Sequence, residues 1–351
     1  MQLNYRSLEL PFEYPFTISG GRTKTHQPTL IVALTLGNLT GWGEAPAISY
    51  YQVTTEDMIG VLQDKKSMIE KFAFTTPERF WHFLHHLIPE HPFLIAALDM
   101  AGWDLFGKMR GLPLFEYWKT NWENTPLTDY TIGIDTIESM LNKIQANPWP
   151  IYKVKLGTEH DLEIMKKLTD STNSRFRVDA NAGWSTEEAL RIIPALTEMG
   201  VELVEQPLAK DNWKGMQELM AISTIPLLAD ESCVAEKDVE KCAGFFHGIN
   251  IKLTKCSGIT PALRMIATAR KLNLKVMMGS MNESSIGSAA IAHFLPQLDF
   301  VDADGPLLLS RDLADGLSYR QGKIELSGLP GLGLQHVDLR TIPSKKTISH
   351  E

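Results

Sequence analysis

Five side chains able to do chemistry recur along the second half of this chain at intervals of roughly 25 residues, about one βα unit: Lys155, Asp179, Glu205, Asp230 and Lys252. Lys153 stands two residues before the first of them. Three carboxylates brought together need a counter-charge, because without one at least one of them keeps its proton at neutral pH. A hard divalent cation answers that need. An all-oxygen donor set suits Mg²⁺ or Mn²⁺ better than zinc, which prefers nitrogen and sulfur. The lysines at either end of the series make a second point. A nearby cation and a second lysine disfavour the ammonium form and bring a lysine toward use as a general base. Two such bases on opposite faces of a bound carbon suit removal of a proton from one face and its return to the other.

The elements that must position these groups are eight short β-type runs, at 130–134, 152–156, 175–179, 202–205, 226–230, 248–252, 275–279 and 300–302. Amphipathic stretches such as 161–168, 186–196 and 259–272 lie between them. Ser185 with Glu188 three residues on is a capping-box signature. Strands alternating with helices in this way predict an α/β fold, a parallel (β/α)7-8 barrel of the TIM type. A doubly wound open sheet would want a Gly-rich phosphate turn after its first strand, and neither GxGxxG nor GxxxxGK[ST] occurs. In a closed barrel the C-terminal strand ends converge on one mouth, so residues one βα unit apart in sequence become neighbours in space.

The first third reads differently. The run 30–36 is apolar and β-type, and Gly37-Asn38 supplies a turn into Thr40-Gly41-Trp42-Gly43-Glu44, which predicts a hairpin. Helical spacing follows over 56–71, from Pro77, and from Pro92 to a stop at Gly111 and Pro113. This is an α+β block.

Composition narrows the function classes. The 351 residues are 44% hydrophobic and 22% charged, ordinary for a globular protein and unlike a disordered one. No apolar run approaches the ~18 residues of a membrane span. The net charge is −8 with no basic block, which argues against nucleic acid or an anionic membrane as partner. Arg6, Glu9 and Glu13 interrupt the first twenty residues, so no signal peptide is read there. Cys233, Cys242 and Cys256 are odd in number and form no CxxC, so a cytoplasmic location is expected rather than a disulfide framework or a zinc site. His82 and His86 are spaced like a zinc pair but lack the Glu of HExxH and read as ordinary helix residues. Cys233 has no His near it in sequence and reads as a packed thiol.

These fragments, in this order, resemble the enolase superfamily in its muconate-lactonizing-enzyme subgroup. Gly41-Trp42-Gly43-Glu44-Ala45 is similar to that family's capping-domain hairpin, and Lys153-Val154-Lys155 to its KxK motif. Asp179-Ala180-Asn181 with Gly183-Trp184, Val204-Glu205-Gln206-Pro207, Ala229-Asp230-Glu231-Ser232 and Ile249-Asn250-Ile251-Lys252 resemble its metal-ligand and lysine strands. The resemblance spans nearly the whole chain. It implies an α+β capping domain at 1–125, a catalytic barrel at 126–309, and a C-terminal segment, 310–351, that joins the cap. Within the subgroup the chain most resembles the dipeptide epimerases. Asp302-Ala303-Asp304 is similar to the DxD motif that holds a substrate's α-ammonium in those enzymes, and Gly279-Ser280-Met281 also resembles them.

The resemblance implies an isomerase that inverts the α-carbon of the C-terminal residue of an Ala-X dipeptide by 1,1-proton transfer through an enediolate. Lys155 and Lys252 would exchange the roles of base and acid. Asp179, Glu205 and Asp230 would hold one Mg²⁺ per subunit, with Mn²⁺ able to substitute. Lys153, Thr131, Ser280, Met281, Asn282, Asp302 and Asp304 would contact the dipeptide, and Arg22 lies where a family arginine meets a glutamate side chain. Asn282 replaces an apolar residue expected there, so X stays open between Glu and small or hydrophobic residues. The family points to cell-wall dipeptides, and a homo-oligomer is one of the assemblies left open. Competing readings are muconate cycloisomerase, o-succinylbenzoate synthase, N-succinylamino-acid racemase, or a barrel that binds a carboxylate without turnover. The first three act on substrates that lack a free ammonium.

Overall fold

The structure, a computed structural model, describes residues 1–18 and 22–340. Its N-terminal part is an antiparallel sheet in the order β1 (Gln2–Ile18), β2 (Arg22–Leu36), β3 (Leu39–Pro46). Leu36 pairs with Leu39 across the predicted Gly37-Asn38 turn, where Gly37 takes φ +61°, a conformation only glycine adopts cheaply. β1 was not legible in the sequence. Pro11 and Pro15 interrupt its run, and a proline normally demotes a strand. It is tolerated because β1 is the sheet edge, and the pairing register shifts between Pro11 and Phe16.

Four helices follow: α1 (Thr55–Lys71), α2 (Pro77–Leu87), α3 (Pro92–Arg110) and the single turn α4 (Leu114–Tyr117). Thr54 and Thr76 cap α1 and α2 by accepting from the Asp57 and Arg79 amides. α3 is buried along almost its whole length, because the sheet lies on one side of it and the rest of the protein on the other. Gly41 and Gly43 explain how closely β3 approaches it. A Cβ at Gly43 would lie 1.9 Å from the Ala97 carbonyl oxygen.

From residue 130 strands and helices alternate: β4 (Tyr130–Ile132), α5 (Ile137–Ala146), β5 (Ile151–Lys155), α6 (Asp161–Ser171), β6 (Arg175–Asp179), α7 (Thr186–Glu198), β7 (Val204–Glu205), α8 (Trp213–Ile222), β8 (Leu227–Ala229), α9 (Glu236–Cys242), β9 (Gly248–Ile251), α10 (Ile259–Lys271), β10 (Lys275–Gly279), α11 (Ser285–Ala292) and β11 (Phe300–Asp302). The eight strands pair in chain order, each parallel to the next. Thr128 bridges to Val301, and Ala303 N donates to Thr128 Oγ1 at 2.9 Å, which brings the last strand against the first. The expected TIM-type barrel with an α+β cap is the observed fold. The capping box at Ser185 is present and starts α7.

Several strands end sooner than the sequence runs do. Asp230 and Lys252 stand one residue past β8 and β9. Outward-facing strand residues such as Val154, Val178, Ile249 and Val301 form one core with the inner faces of the helices. Glu44 carries the cap onto the barrel. Its buried carboxylate accepts from Ser284 N and Gly287 N at 3.1 Å and from Ser284 Oγ at 2.6 Å, at the start of α11. Trp81 Nε1 donates to Ser257 O and Trp103 Nε1 to Thr260 Oγ1, both at 2.9 Å. After α12 (Gly305–Leu308) and the hairpin β12 (Leu317–Arg320), β13 (Lys323–Leu326), the chain returns to the cap, where Leu332 N donates to Asp104 Oδ1 at 2.8 Å.

Candidate active site

Every second side chain of a barrel strand turns inward. Each inward residue at the mouth therefore has another one layer deeper, two positions back: Asp129 under Thr131, Lys153 under Lys155, Arg177 under Asp179, and Asn250 under Lys252. By the same period Leu203, Leu228, Met277 and Phe300 lie under Glu205, Asp230, Gly279 and Asp302, and these four form an apolar cluster. The Arg177 guanidinium covers the Phe300 ring at 5.4 Å. The deeper layer is thus half polar, from Asp129, Lys153, Arg177 and Asn250, and half apolar.

Register sets their level. Lys155 pairs with Asp179, and Asp179 with Glu205, across three adjacent strands. Lys155 Nζ lies 2.6 Å from Asp179 Oδ2, and Lys252 Nζ lies 2.8 Å from Asp230 Oδ2. Because β5 and β9 are four strands apart in a ring of eight, these two lysines stand on opposite sides of the mouth. Lys153 reaches between them. Its ammonium meets Glu205 Oε2 at 2.7 Å, Asp302 Oδ2 at 2.6 Å and Asp179 Oδ2 at 3.4 Å.

The backbone around the three acids is tightly specified. Asn181, at φ +45°, donates its N–H to Asp179 Oδ1 at 2.9 Å. Gln206, at φ +36°, accepts from Asp230 N and Ser232 N and so ties the end of β7 to the end of β8. Asn250 Nδ2 donates to Glu205 Oε1 at 2.7 Å. Glu205 Oε2 is buried and accepts no hydrogen bond, since Lys153 meets it as an ion pair off the hydrogen-bond direction.

Charge and burial compete at each group. Burial opposes ionisation of Asp179, yet Lys155 and Lys153 hold it below the usual carboxylate range. Lys252 and Lys255 do the same for Asp230 against its burial. Glu205 goes the other way, pushed up by burial and by Asp179. Lys252 differs from the expectation of a depressed lysine. Burial pulls it down, but the charges of Asp230 and Glu205 raise it well above an ordinary lysine. The acids surrounding it outweigh burial and the Lys153 ammonium together.

These acids fit a hard divalent cation. They offer carboxylate oxygen alone, Asp230 acts electrostatically on both of the others, and a buried Glu205 oxygen lacks a hydrogen bond. Asp179, Glu205 and Asp230 are the residues that would hold it.

A second acidic group lies across the mouth. Asp129, Asp302 and Asp304 are buried, with oxygens all within 4.8 Å of one another, and among the described residues no other carboxylate trio is this tight. Arg177 donates to Asp129 Oδ2 at 2.9 Å, and Thr131 N donates to Asp304 Oδ2 at 2.6 Å. Asp302 Oδ1 and Asp129 Oδ1 are buried without a hydrogen-bond partner. Burial and the charge of Asp302 push Asp304 up to about 7 and Asp129 well above the usual range. Asp302 itself stays low despite burial, held there by Lys153 and Lys155. Such a group is short of positive charge and suits a cationic ligand.

One cavity of about 290 Å³ joins the two poles. Thr131, Lys155, Asp230, Lys252, Ser280, Met281, Asn282, Asp302 and Asp304 line it, while Lys153, Asp179 and Glu205 lie buried beneath. Ser280 is set by its N–H to Asp302 O at 2.8 Å, and Asn282 turns the loop at φ +66°. The side chain of Arg22 lies outside the described residues.

Sequence reading missed several wall residues. The cap contributes Phe16, Lys24, Ile48, Ser49, Tyr50 and Tyr51. Phe16 pairs with Lys24 across β1 and β2, two residues beyond the singled-out Arg22. Asp129, Arg177 and Asn250 carried a usable signal, since each lies two residues before a residue already singled out. Lys255 follows Lys252 by three residues. His82, His85 and His86 are exposed on α2, and Cys233 is buried.

Residues 136–338 match the model of the enolase C-terminal domain-like family, and residues 4–117 match the mandelate racemase / muconate lactonizing enzyme N-terminal domain. An L-Ala-D/L-amino acid epimerase of Maribacter sp. is 49% identical over 335 residues, covering 95% of this chain and 99% of the relative. The substrate-liganded L-Ala-D/L-Glu epimerase of Bacillus subtilis superposes with TM-score 0.91 at 28% identity, over 97% of this chain and 99% of that one. The dipeptide epimerase of Cytophaga hutchinsonii, complexed with Mg and D-Ala-L-Val, gives 0.90 at 27% identity, over 97% of each chain.

Proposed function

The chain belongs to the mandelate racemase / muconate lactonizing enzyme family of the enolase superfamily, and from that premise we propose that it is a dipeptide epimerase. It uses Mg²⁺ and inverts the α-carbon of the C-terminal residue of Ala-X dipeptides, with X open between Glu and small or hydrophobic residues. One observation carries this reading. A single cavity holds two lysines on opposite strands, Asp230 in its wall with Asp179 and Glu205 buried beneath, and a separate pair of acids at Asp302 and Asp304.

An α-proton beside a carboxylate is very weakly acidic, so the developing charge must be stabilised. A divalent cation held by Asp179, Glu205 and Asp230 supplies, when bound, positive charge where an enediolate forms. The buried Lys153 ammonium adds a second charge at the same floor. Asp302 and Asp304 take the dipeptide's α-ammonium and fix its direction, which leaves the α-carbon of the second residue between Lys155 and Lys252. One lysine removes the proton and the other returns one to the opposite face. Microscopic reversibility exchanges their roles for the other epimer.

The test is incubation with Mg²⁺ and pooled L-Ala-X and D-Ala-X dipeptides in D₂O, read by mass spectrometry. One deuteron gained at the C-terminal residue's α-carbon is the expected result, and the labelled set gives X. No exchange with any dipeptide, in protein that binds Mg²⁺, overturns the reading. Activity of an Asp302→Asn, Asp304→Asn double variant equal to wild type would redirect it to substrates without an ammonium, such as N-succinylamino acids.

A further inference from the structure

Two lysines close on one carboxylate, and one of them turns its back to the substrate cavity. Lys252 meets Asp230 Oδ2 at 2.8 Å and lines that cavity. Lys255 meets Asp230 Oδ1 from the other side. It also donates to the backbone oxygens of Asp230 at 2.6 Å, Cys233 at 3.1 Å and Asn250 at 3.3 Å. An ammonium has three protons. These four acceptors occupy them all, and the side chain is 1% exposed. The acceptors belong to two neighbouring strand ends, residues 230–233 after β8 and residue 250 on β9. The turn after β9, closed by Cys256 N donating to Lys252 O at 3.1 Å, brings both lysines to the same carboxylate.

We propose that Lys255 is a positioning residue for the metal site: it pins Oδ1 and the backbone of Asp230 and so fixes the direction of the carboxylate's other oxygen. The proposal rests on the proposed function, in which Asp230 helps hold a divalent cation. Lys255 is absent from the wall of the substrate cavity and borders a separate one. A carboxylate fixed by outer partners that do not touch the metal costs less reorganisation when it binds.

The test is Mg²⁺ titration calorimetry on the full chain for wild type, Lys255→Met and Lys255→Gln, with thermal unfolding alongside. Gln keeps an amide donor for one backbone carbonyl and loses the charge. The expected result is a folded variant whose Mg²⁺ Kd rises by about 10- to 100-fold. Its kcat should return to within about threefold of wild type at saturating Mg²⁺. A purely structural role would lower the melting temperature and leave Kd alone. A folded neutral variant with wild-type Kd overturns the proposal. So does failure of both neutral variants to fold, which would make Lys255 a determinant of the fold. Wild type that binds no Mg²⁺ would instead remove the functional reading beneath it.

Discussion

The Lys153 ammonium stands 2.6 Å from Asp302 Oδ2, on the strand diametrically opposite the one that carries Glu205, which the same ammonium meets at 2.7 Å. One buried cation thus links the pole suited to a metal with the pole suited to a substrate ammonium. Burial pulls Lys153 down, but Asp302, Glu205 and Asp179 raise it well above an ordinary lysine. Lys153→Met leaves those acids without their shared partner and should destabilise the fold by about 3–5 kcal/mol at neutral pH. Unpaired buried acids take up protons more readily, so the loss should shrink as pH falls from about 7 to about 5. Urea unfolding of the variant at both pH values checks this, and an equal loss at each would show that charge pairing is not the cause.

Lys155 and Lys252 should each be indispensable for epimerisation and separable for exchange. Lys155→Ala and Lys252→Ala should each lower epimerisation by at least about 10²–10⁴-fold. Each variant keeps one base, so each should still exchange the α-proton of one stereoisomer in D₂O and fail with the other. Proton NMR of both epimers with both variants reads the pattern. Exchange of both epimers by either variant would mean that one residue serves both faces.

Asp304 predicts a pH effect on binding. Burial and the charge of Asp302 hold its carboxyl up to about 7. Below that value it is neutral and the ammonium pole loses a negative charge; above it the charge is present. The ratio kcat/KM should therefore fall as pH drops through about 7, carried by a rising KM. Asp304→Asn should abolish that inflection at uniformly low kcat/KM. A wild-type profile flat in KM between about pH 6 and 8 would contradict the assignment.

Glu283 predicts a pH effect on stability. Burial and the nearby Glu44 raise its carboxyl to about 8, against a reference of 4.5. The folded state then keeps a proton that the unfolded chain releases, so stability should decline as pH rises from about 4.5 to about 8. In that window the slope reaches at most about 1.4 kcal/mol per pH unit. Glu283→Gln keeps an acceptor for the Met281 amide and removes the proton equilibrium. Its advantage over wild type, by urea midpoint, should grow with pH across that window. A constant difference would show that Glu283 titrates normally.

Much of the site was legible in the sequence, because a parallel barrel writes its mouth into the chain at one interval. Lys155, Asp179, Glu205, Asp230 and Lys252 recur at strand ends, and strand ends are local features of apolar patterning and turns. The fold followed from the same alternation. β1 did not, since Pro11 and Pro15 mask it and only its edge position makes them tolerable.

What the tertiary structure decided is which of those residues meet. That Lys155 and Lys252 oppose one another depends on closure of eight strands, which no local pattern states. The reach of Lys153 to Asp302, 149 positions away, depends on the same closure. Side-chain direction within a strand is local, so Asp129, Arg177 and Asn250 follow from the period of two once the strands are known. The wall from Ile48 to Tyr51 is different. Its residues carry no chemical signature, and they reach the cavity because Glu44, Trp81 and Trp103 dock the cap onto the mouth. Residue types and their order are properties of the chain, whereas the distances between them arise only when burial packs the cap against the barrel.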